Sequence, residues 1–296
     1  MNKEGFIIRS NAGLYDVFCD DKIYVSKPRG KFRKEFKHPL VGDNVVIEVL
    51  NDTEGFIIEI KDRINSLIRP KVANIDQLVI IASLVDPVID MSLINRFMML
   101  VSTANIKPIL LVSKCDREDF PLDKYLEIER VYKNMDYVVL KYSSKNNENV
   151  DKIKELLKGH KTVFTGQTGV GKSKLINSLL GVNQKVGDTS KALGRGRHTT
   201  RLVEYIPYDE GWIADTPGFS LIDFDIIRIT KEELSYEFPG FKKYFGKCKF
   251  RGCLHDSEPN CKVKEAVSNG EIEKVHYETY LGILNEYKKL LKSMDE

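Results

Sequence analysis

Gly166-Gln167-Thr168-Gly169-Val170-Gly171-Lys172-Ser173 is the stretch on which the reading of this chain turns. It has the form G-x-x-x-x-G-K-S, preceded by an apolar run, Thr162-Val-Phe-Thr165, and followed by a helix-like run from Lys174 to Leu180. A strand, a glycine-rich turn and a helix in that order make a phosphate-binding loop. The glycines let successive backbone N–H groups converge on one anion, and the helix adds the positive end of its dipole. Lys172 is placed to reach the β- and γ-phosphates, and Ser173 a magnesium ion. The stretch implies a bound nucleoside triphosphate and an α/β core.

Outward from the loop, apolar runs alternate with helical stretches: Leu78-Val-Ile-Ile-Ala82, Met91 to Ala104, Ile109-Leu-Leu-Val112, Leu122 to Lys133, Tyr137-Val-Val-Leu140 and Val150 to Leu157. These read as β/α units with buried parallel strands and helices on both faces. The region near Leu202 to Trp212 adds two further strands. Residues 1 to about 65 differ. Gly5 to Arg9, Leu14 to Cys19, Lys22 to Val25, Asn44 to Leu50 and Gly55 to Ile60 are short strand-like runs separated by turn signals such as Asn11-Ala-Gly13, Asp20-Asp21 and Gly42-Asp43. Five such strands predict a small barrel of the oligonucleotide-binding (OB) type, with an SH3-like barrel as the competing architecture. Beyond about residue 222 the chain is helical and basic, and Tyr277, Tyr280, Leu281, Leu284, Tyr287 and Leu291 follow the spacing of an amphipathic helix. The expected organisation is multidomain α/β: an OB-like barrel over 1–65, a nucleotide-binding domain over 66–222 and a helical metal-binding domain over 223–296.

The 296 residues are 42% hydrophobic and 30% charged, a soluble balance, and no apolar run approaches the roughly 20 residues of a membrane span. Three of the five cysteines crowd between Cys248 and Cys261. That argues for a metal site in a reducing compartment, hence the cytoplasm, rather than a secreted disulfide framework. Cys19 and Cys115 read as packing residues. Net charge is only +3, but the basic residues cluster. Lys27, Arg29, Lys31, Arg33, Lys34 and Lys37 share one segment with a single acid and two phenylalanines. Lys191, Arg195, Arg197 and Arg201 form a second group, and a third surrounds the cysteines. Three such groups in different segments point to a polyanionic partner, with the first as an RNA-binding loop of the barrel.

Downstream of the phosphate loop, Trp212-Ile-Ala-Asp215-Thr-Pro-Gly218 reads as a strand closing on D-x-x-G. Asp215 would hold magnesium through water, and the Gly218 amide would face the γ-phosphate. Guanine is normally read by N-K-x-D and S-A-K after that motif, but nothing suitable comes after Gly218. Both occur upstream, as Ser113-Lys114-Cys115-Asp116 and Ser143-Ser144-Lys145, each closing a strand. The Asp116 carboxylate can accept from guanine N1–H and the exocyclic amine, which adenine cannot satisfy. The Ser144 N–H would donate to O6, and the stem of Lys114 would lie across the base. Ser113 replaces the usual asparagine, so the amide that braces the phosphate loop is missing. Base-reading loops first, phosphate loop second and D-x-x-G third is a cyclic arrangement cut and rejoined, and it sets the switch region beside the C-terminal domain.

Cys248-x4-Cys253-x-His255-x5-Cys261 offers three thiolates and one imidazole, a set suited to one tetrahedral structural zinc with no open position for chemistry. The ion would organise a short basic loop that has little core of its own.

Taken together, the barrel-like N-terminus, Arg69-Pro-Lys-Val-Ala-Asn-Ile-Asp76, Gly166 to Ser173, Gly194-Arg-Gly-Arg-His198-Thr199-Thr200, Asp215 to Gly218 and the cysteine cluster resemble the circularly permuted ribosome-associated GTPases. The similarity is to the bacterial small-subunit-dependent branch and covers essentially the full length. It implies a monomeric GTP/GDP-binding factor in late maturation of the small ribosomal subunit, bound through rRNA and stimulated by the subunit. An RNA-binding nucleotide sensor with little turnover is the alternative. Where ordinary regulatory GTPases carry a water-positioning glutamine, this chain has Phe219, which offers no polar atom. His198 is the candidate to orient the water, since imidazole can accept a proton near neutral pH, and the resemblance points to the same residue. Thr199 or Thr200 would supply the switch hydroxyl to magnesium.

Overall fold

The computed structural model describes residues 1–30, 38–67, 71–133, 137–181, 203–216, 230–238 and 240–295. The N-terminal strands are β1 (Asn2–Asn11), β2 (Leu14–Cys19), β3 (Lys22–Pro28), β4 (Asn44–Val49) and β5 (Glu54–Ile60). Two-residue turns join the first three. Ala12 and Gly13, then Asp20 and Asp21, all have positive φ, the type I′ signature that matches strand twist. β3 then pairs in parallel with β5, while β4 lies between β5 and β1 and closes the ring. This Greek-key order is that of an OB-like barrel and sets the SH3-like alternative aside. Ile7, Val17, Tyr24, Val45, Ile47 and Ile57 fill its interior.

A polar clamp joins the barrel to the segment that leads into the central sheet. Asp43 is fully buried and takes two hydrogen bonds from Arg63, at 2.6 and 2.9 Å, and one from the Leu40 N–H at 2.7 Å. Asn74 bridges the Gly42 carbonyl and the Ile64 N–H, each at 2.9 Å. The short ladder of β6 (Ser66–Leu67) with β7 (Val72–Ala73) lies between these contacts.

The central sheet contains β8 (Gln77–Ser83), β9 (Lys107–Ser113), β10 (Val138–Lys141), β11 (Lys161–Gly166), β12 (Glu204–Tyr208) and β13 (Gly211–Asp215). Across the sheet the order is β10-β9-β8-β11-β13-β12, parallel except at β12. Side chains alternate between its faces. Leu78, Ile80, Leu110 and Val112 join α1 (Met91–Thr103) and α2 (Leu122–Lys133) in one cluster. Val79, Ile81, Ile109 and Leu111 join α3 (Val150–Leu157) and α4 (Lys172–Leu179) in the other. β12 would be a bare edge, but it pairs with β1 at Arg9 and Glu204, carrying the sheet into the barrel. Phe6 and Phe18 of the barrel pack edge-on against Trp212 at 4.7 and 4.9 Å, sealing that joint.

The C-terminal elements are α5 (Lys231–Glu237), α6 (Lys262–Ser268) and α7 (Lys274–Asp295). Thr230 and Glu233 form a reciprocal capping box at the start of α5. Leu234, Phe238, Phe241, Tyr280, Ile283 and Leu284 make a separate core. Among the described residues no helix is long and apolar enough to cross a membrane.

The joint between α7 and the central domain is polar and buried. The Asn95 amide donates to His276 Nδ1 at 3.0 Å and accepts from the Tyr132 hydroxyl at 2.7 Å, while Arg130 pairs with Glu273 at the rim. Burial pushes the His276 imidazole down to about 4, against a slight opposing pull from Glu273. An unfolded histidine titrates near 6.5, so the unfolded chain binds more protons between those values. The contribution is present above about pH 6.5 and is lost as pH falls toward 4, roughly 3 kcal/mol in all. His276→Gln should therefore show a smaller drop in melting midpoint between pH 7 and pH 5 than the parent chain, measured by circular dichroism.

Candidate functional site

β11 runs into the phosphate loop against β8. A Cβ at Gly166 would lie 2.5 Å from the Ile81 carbonyl oxygen, so only glycine allows the approach. The loop closes at Gly171, with φ of 96°, which caps α4. The first N–H groups of α4 then face the loop without helical partners, a ready anion cradle. Lys172 is largely buried, and its ammonium donates to the Asp215 carboxylate and to the Thr216 carbonyl. Asp215 is brought there by β13, which pairs with β11 so that Asp215 stands beside Phe164. The Thr216 hydroxyl donates to the Phe164 carbonyl at 2.7 Å and ties the end of β13 to β11. Thr168 and Ser173 are exposed, whereas Val170 is buried beneath the loop. Gln167 Oε1 in the same loop is buried and has no partner among the described residues.

The two upstream loops open at the same end of the sheet. Ser83 is level with Ser113, and Lys141 with Val112. The Ser143 hydroxyl donates to Asp116 at 2.5 Å and accepts from the Lys145 N–H at 3.0 Å. The Lys145 ammonium stands 3.9 Å from Asp116. The Ser143 hydrogen bond, with the positive charges of Lys145 and Lys174, holds the Asp116 carboxyl below the usual carboxylate range. Lys174 lies in the first turn of α4, two residues beyond Lys172. Asp116 is therefore within electrostatic reach of the helix that begins at the phosphate loop.

Ser113 does something its sequence position does not reveal. Its hydroxyl donates to the Ala82 carbonyl at 3.0 Å, tying β9 to β8 instead of reaching toward the phosphate loop. Contact from this side comes from the loop after β8. Lys114, with φ of 64°, donates to the Asp86 carbonyl, and a Cβ at Gly169 would sit 3.5 Å from Pro87. Asp86 and Pro87 carry no motif that would mark them beforehand. Ser144 lies half-buried beside Ser143.

β8, β9 and β10 step outward on one side, and β11, β13 and β12 on the other. The crevice between β8 and β11, at the carboxyl ends of the strands, is the switch point where open α/β sheets bind ligands. Lys114, Asp116, Ser143, Gly166 to Ser173 and Asp215 all lie at or just beyond the carboxyl ends of these strands. His198, Thr199, Thr200, Gly218 and Phe219 lie outside the described residues. So do Lys31, Arg33, Lys34 and Lys37 of the basic loop. Of that group, Lys27 is exposed on β3, and Arg29 pairs with Glu48.

The ligand atoms of Cys248, Cys253, His255 and Cys261 all lie within 4.8 Å of one another and could hold a metal ion. Cys248 Sγ is 3.7 Å from His255 Nδ1 and 4.0 Å from Cys261 Sγ, and His255 Nδ1 is 3.3 Å from Cys261 Sγ. These are near the edges, about 3.5 to 3.8 Å, of a tetrahedron built from ordinary metal–sulfur and metal–nitrogen bonds. Burial pushes the His255 imidazole down to about 4, leaving the neutral form that ligates. The Glu258 carboxylate accepts from the Leu254 and Asp256 N–H groups at 2.7 and 2.9 Å, and Tyr277 donates to the His255 carbonyl at 2.7 Å. The loop is thus pinned from both sides.

Residues 60–225 match the RsgA GTPase family, and residues 4–57 match the RsgA N-terminal domain. The small ribosomal subunit biogenesis GTPase RsgA of Geobacillus thermodenitrificans (strain NG80-2) is 42% identical over 288 residues, 97% of this chain and 98% of that protein. The crystal structure of YloQ, a circularly permuted GTPase, superposes with a TM-score of 0.80 at 39% identity, covering 98% of this chain and 96% of that one. YjeQ from Thermotoga maritima superposes with a TM-score of 0.81 at 31% identity, covering 97% and 98%. The chain therefore belongs to the RsgA family of circularly permuted GTPases.

Proposed function

We propose that the chain hydrolyses GTP to GDP and phosphate in the late maturation of the small ribosomal subunit, as a cytoplasmic monomer that binds the subunit through its rRNA. The observation that carries this reading is the strand register that opens the Asp116 and Ser143 loops at the same end of the sheet as the phosphate loop, with Ser143 bonded to Asp116 and Lys172 to Asp215. A carboxylate there accepts from two guanine N–H groups, and adenine would leave it unpaired. The Ser144 N–H donates to O6, the Lys114 stem covers the ring, and Ser113 keeps β9 in register beneath. The domain boundaries that suit this division of labour are 1–65, 66–222 and 223–296.

The Lys172 ammonium would meet the β- and γ-oxygens of a triphosphate held in the cradle. The Ser173 hydroxyl and the Asp215 carboxylate, carried by adjacent elements, are hard oxygen donors that suit magnesium. Ser173 and Asp215, with Thr199 or Thr200, would hold the ion, which when bound supplies neutralisation of the phosphate charge. The Gly218 N–H would face the γ-phosphate. His198 orients the attacking water, the task for which Phe219 has no atom. The D-x-x-G segment runs straight into the C-terminal domain, so nucleotide state can act on that domain directly. There the three thiolates and the His255 imidazole hold one structural zinc, and the barrel's Lys27 and Arg29, with Lys31, Arg33, Lys34 and Lys37, meet RNA phosphates.

Asp116→Asn should lower GTP affinity by roughly a hundredfold or more and favour xanthosine triphosphate, whose 2-oxo group accepts where guanine donates. Titration with both nucleotides checks this; an unchanged preference for GTP overturns the base assignment. His198→Ala should cut subunit-stimulated turnover on the order of a hundredfold while leaving GTP binding near its original level, read by phosphate release with and without purified small subunits. Stimulation by subunits also separates the enzyme from a nucleotide sensor. Removing the metal with a chelator should expose residues 240–295 to protease while nucleotide affinity changes less than about threefold.

A further inference from the structure

The C-terminal domain carries a cleft of about 300 Å³ whose lining includes Cys248, Cys253 and His255 of the candidate metal site. Its walls are aromatic and open to solvent. Phe245 is 69% exposed and Phe250 44%, whereas Phe238 and Phe241 in the core of the same domain are each 1% exposed. The Phe245 ring leans on Tyr236 of α5 with centroids 4.5 Å apart. The Lys249 ammonium lies 5.7 Å over Phe250, and Lys242 lies 5.3 Å over Tyr236.

The charge around the cleft is one-sided. Lys242, Lys243, Lys247, Lys249 and Arg251 fall within ten consecutive residues that contain no acid. Among the described lining residues the carboxylate is that of Glu232, on the α5 wall. The Glu232 carboxylate, exposed on that wall and 4.0 Å from Lys231, can accept from an exocyclic amine, while the cations of the basic segment attract phosphate. Exposed rings bind the π-face of any base. The cavity is thus suited to a base inside and its backbone outside, and a wholly apolar side chain would leave both charge sets unused.

We propose that this cleft captures an unpaired RNA base stacked on Phe245 and Phe250, with the flanking phosphates on Lys249 and Arg251. The inference rests on the proposed function, in which the partner is ribosomal RNA, and adds the side chains that grip it.

The test uses full-length, metal-loaded protein and fluorescence anisotropy at fixed salt. The probes are labelled octacytidylate, whose bases carry an exocyclic amine, and the same backbone lacking its bases. The unaltered chain should bind the base-bearing oligomer at least about fivefold more tightly, the gain expected from stacking one base. In the Phe245→Ala/Phe250→Ala double variant, that ratio should fall toward one, with metal content and RNA-free GTP turnover unchanged. Phe245→Trp/Phe250→Trp should restore it. Equal affinities on the unaltered protein, or a ratio untouched by the double variant, overturn the cleft; should the double variant lose its metal, the single variants carry the same comparison. Cosedimentation with small subunits is run alongside. Failure of the unaltered chain to cosediment overturns the proposed function and the ribosomal source of the base. Loss of cosedimentation in the double variant with its oligomer ratio intact assigns the rings to a ribosomal protein and also overturns the proposal.

Discussion

The parallel pairing of β8 with β11 is the interaction on which the rest of the molecule depends. Gln77 and Thr162 stand 85 positions apart in the chain, yet the Gln77 amide donates to the Thr162 hydroxyl at 2.8 Å and to the Leu156 carbonyl at 2.9 Å. From that seam one half of the sheet proceeds through β9 and β10, and the other through β13 and β12. Because the halves run away from each other, the carboxyl end of the seam is the switch point at which open α/β sheets leave a crevice. Every loop at the site is positioned by the register of this pairing. Slipping it by one residue would turn Val79 and Ile81 from the α3/α4 face to the α1/α2 face and bury the wrong side chains throughout.

The rearranged order also decides where the flanking domains attach. The chain enters the sheet at its middle, with β8, and the polar clamp of Asp43, Arg63 and Asn74 holds the barrel close to that point. It leaves after β13, the parallel neighbour of the strand that carries the phosphate loop, and the C-terminal domain follows in the sequence. That domain returns to pack α7 against α1, through a buried Asn95–His276–Tyr132 network in place of an apolar seam. A network of this kind demands a particular geometry, since each buried polar group is costly when its partner is displaced. The barrel joint works by different means: edge-on aromatics around Trp212 and one strand pairing that covers β12.

Much of the site was legible because its chemistry is local in the chain. A glycine-rich turn between a strand and a helix needs contiguous residues, as does a set of metal ligands spaced over one loop. The five barrel strands were also readable, through period-two alternation and the short polar turns at Asn11-Ala-Gly13 and Asp20-Asp21. Their closure was not, since a barrel's strand order is set by contacts between segments far apart. The same holds for Ser113: its type could be read as a departure from asparagine, but only its position opposite Ala82 shows where the hydroxyl goes. Asp86, Pro87 and Lys174 border the site through neighbours supplied by other strands, and no spacing rule marks them.

The amino-acid sequence alone set out a phosphate-binding loop, offered Asp116 as the carboxylate for a base and gathered three thiols and an imidazole, because each of those features is written in a few adjacent residues. The tertiary structure alone decided that the loops carrying Asp116 and Ser143 open at the same end of the sheet as the later phosphate loop, that the barrel closes through β4 onto β1, and that exposed rings line a cleft with Cys248, Cys253 and His255. Those facts depend on pairing across long stretches of chain, where burial of both sheet faces, not any local preference, selects the partner.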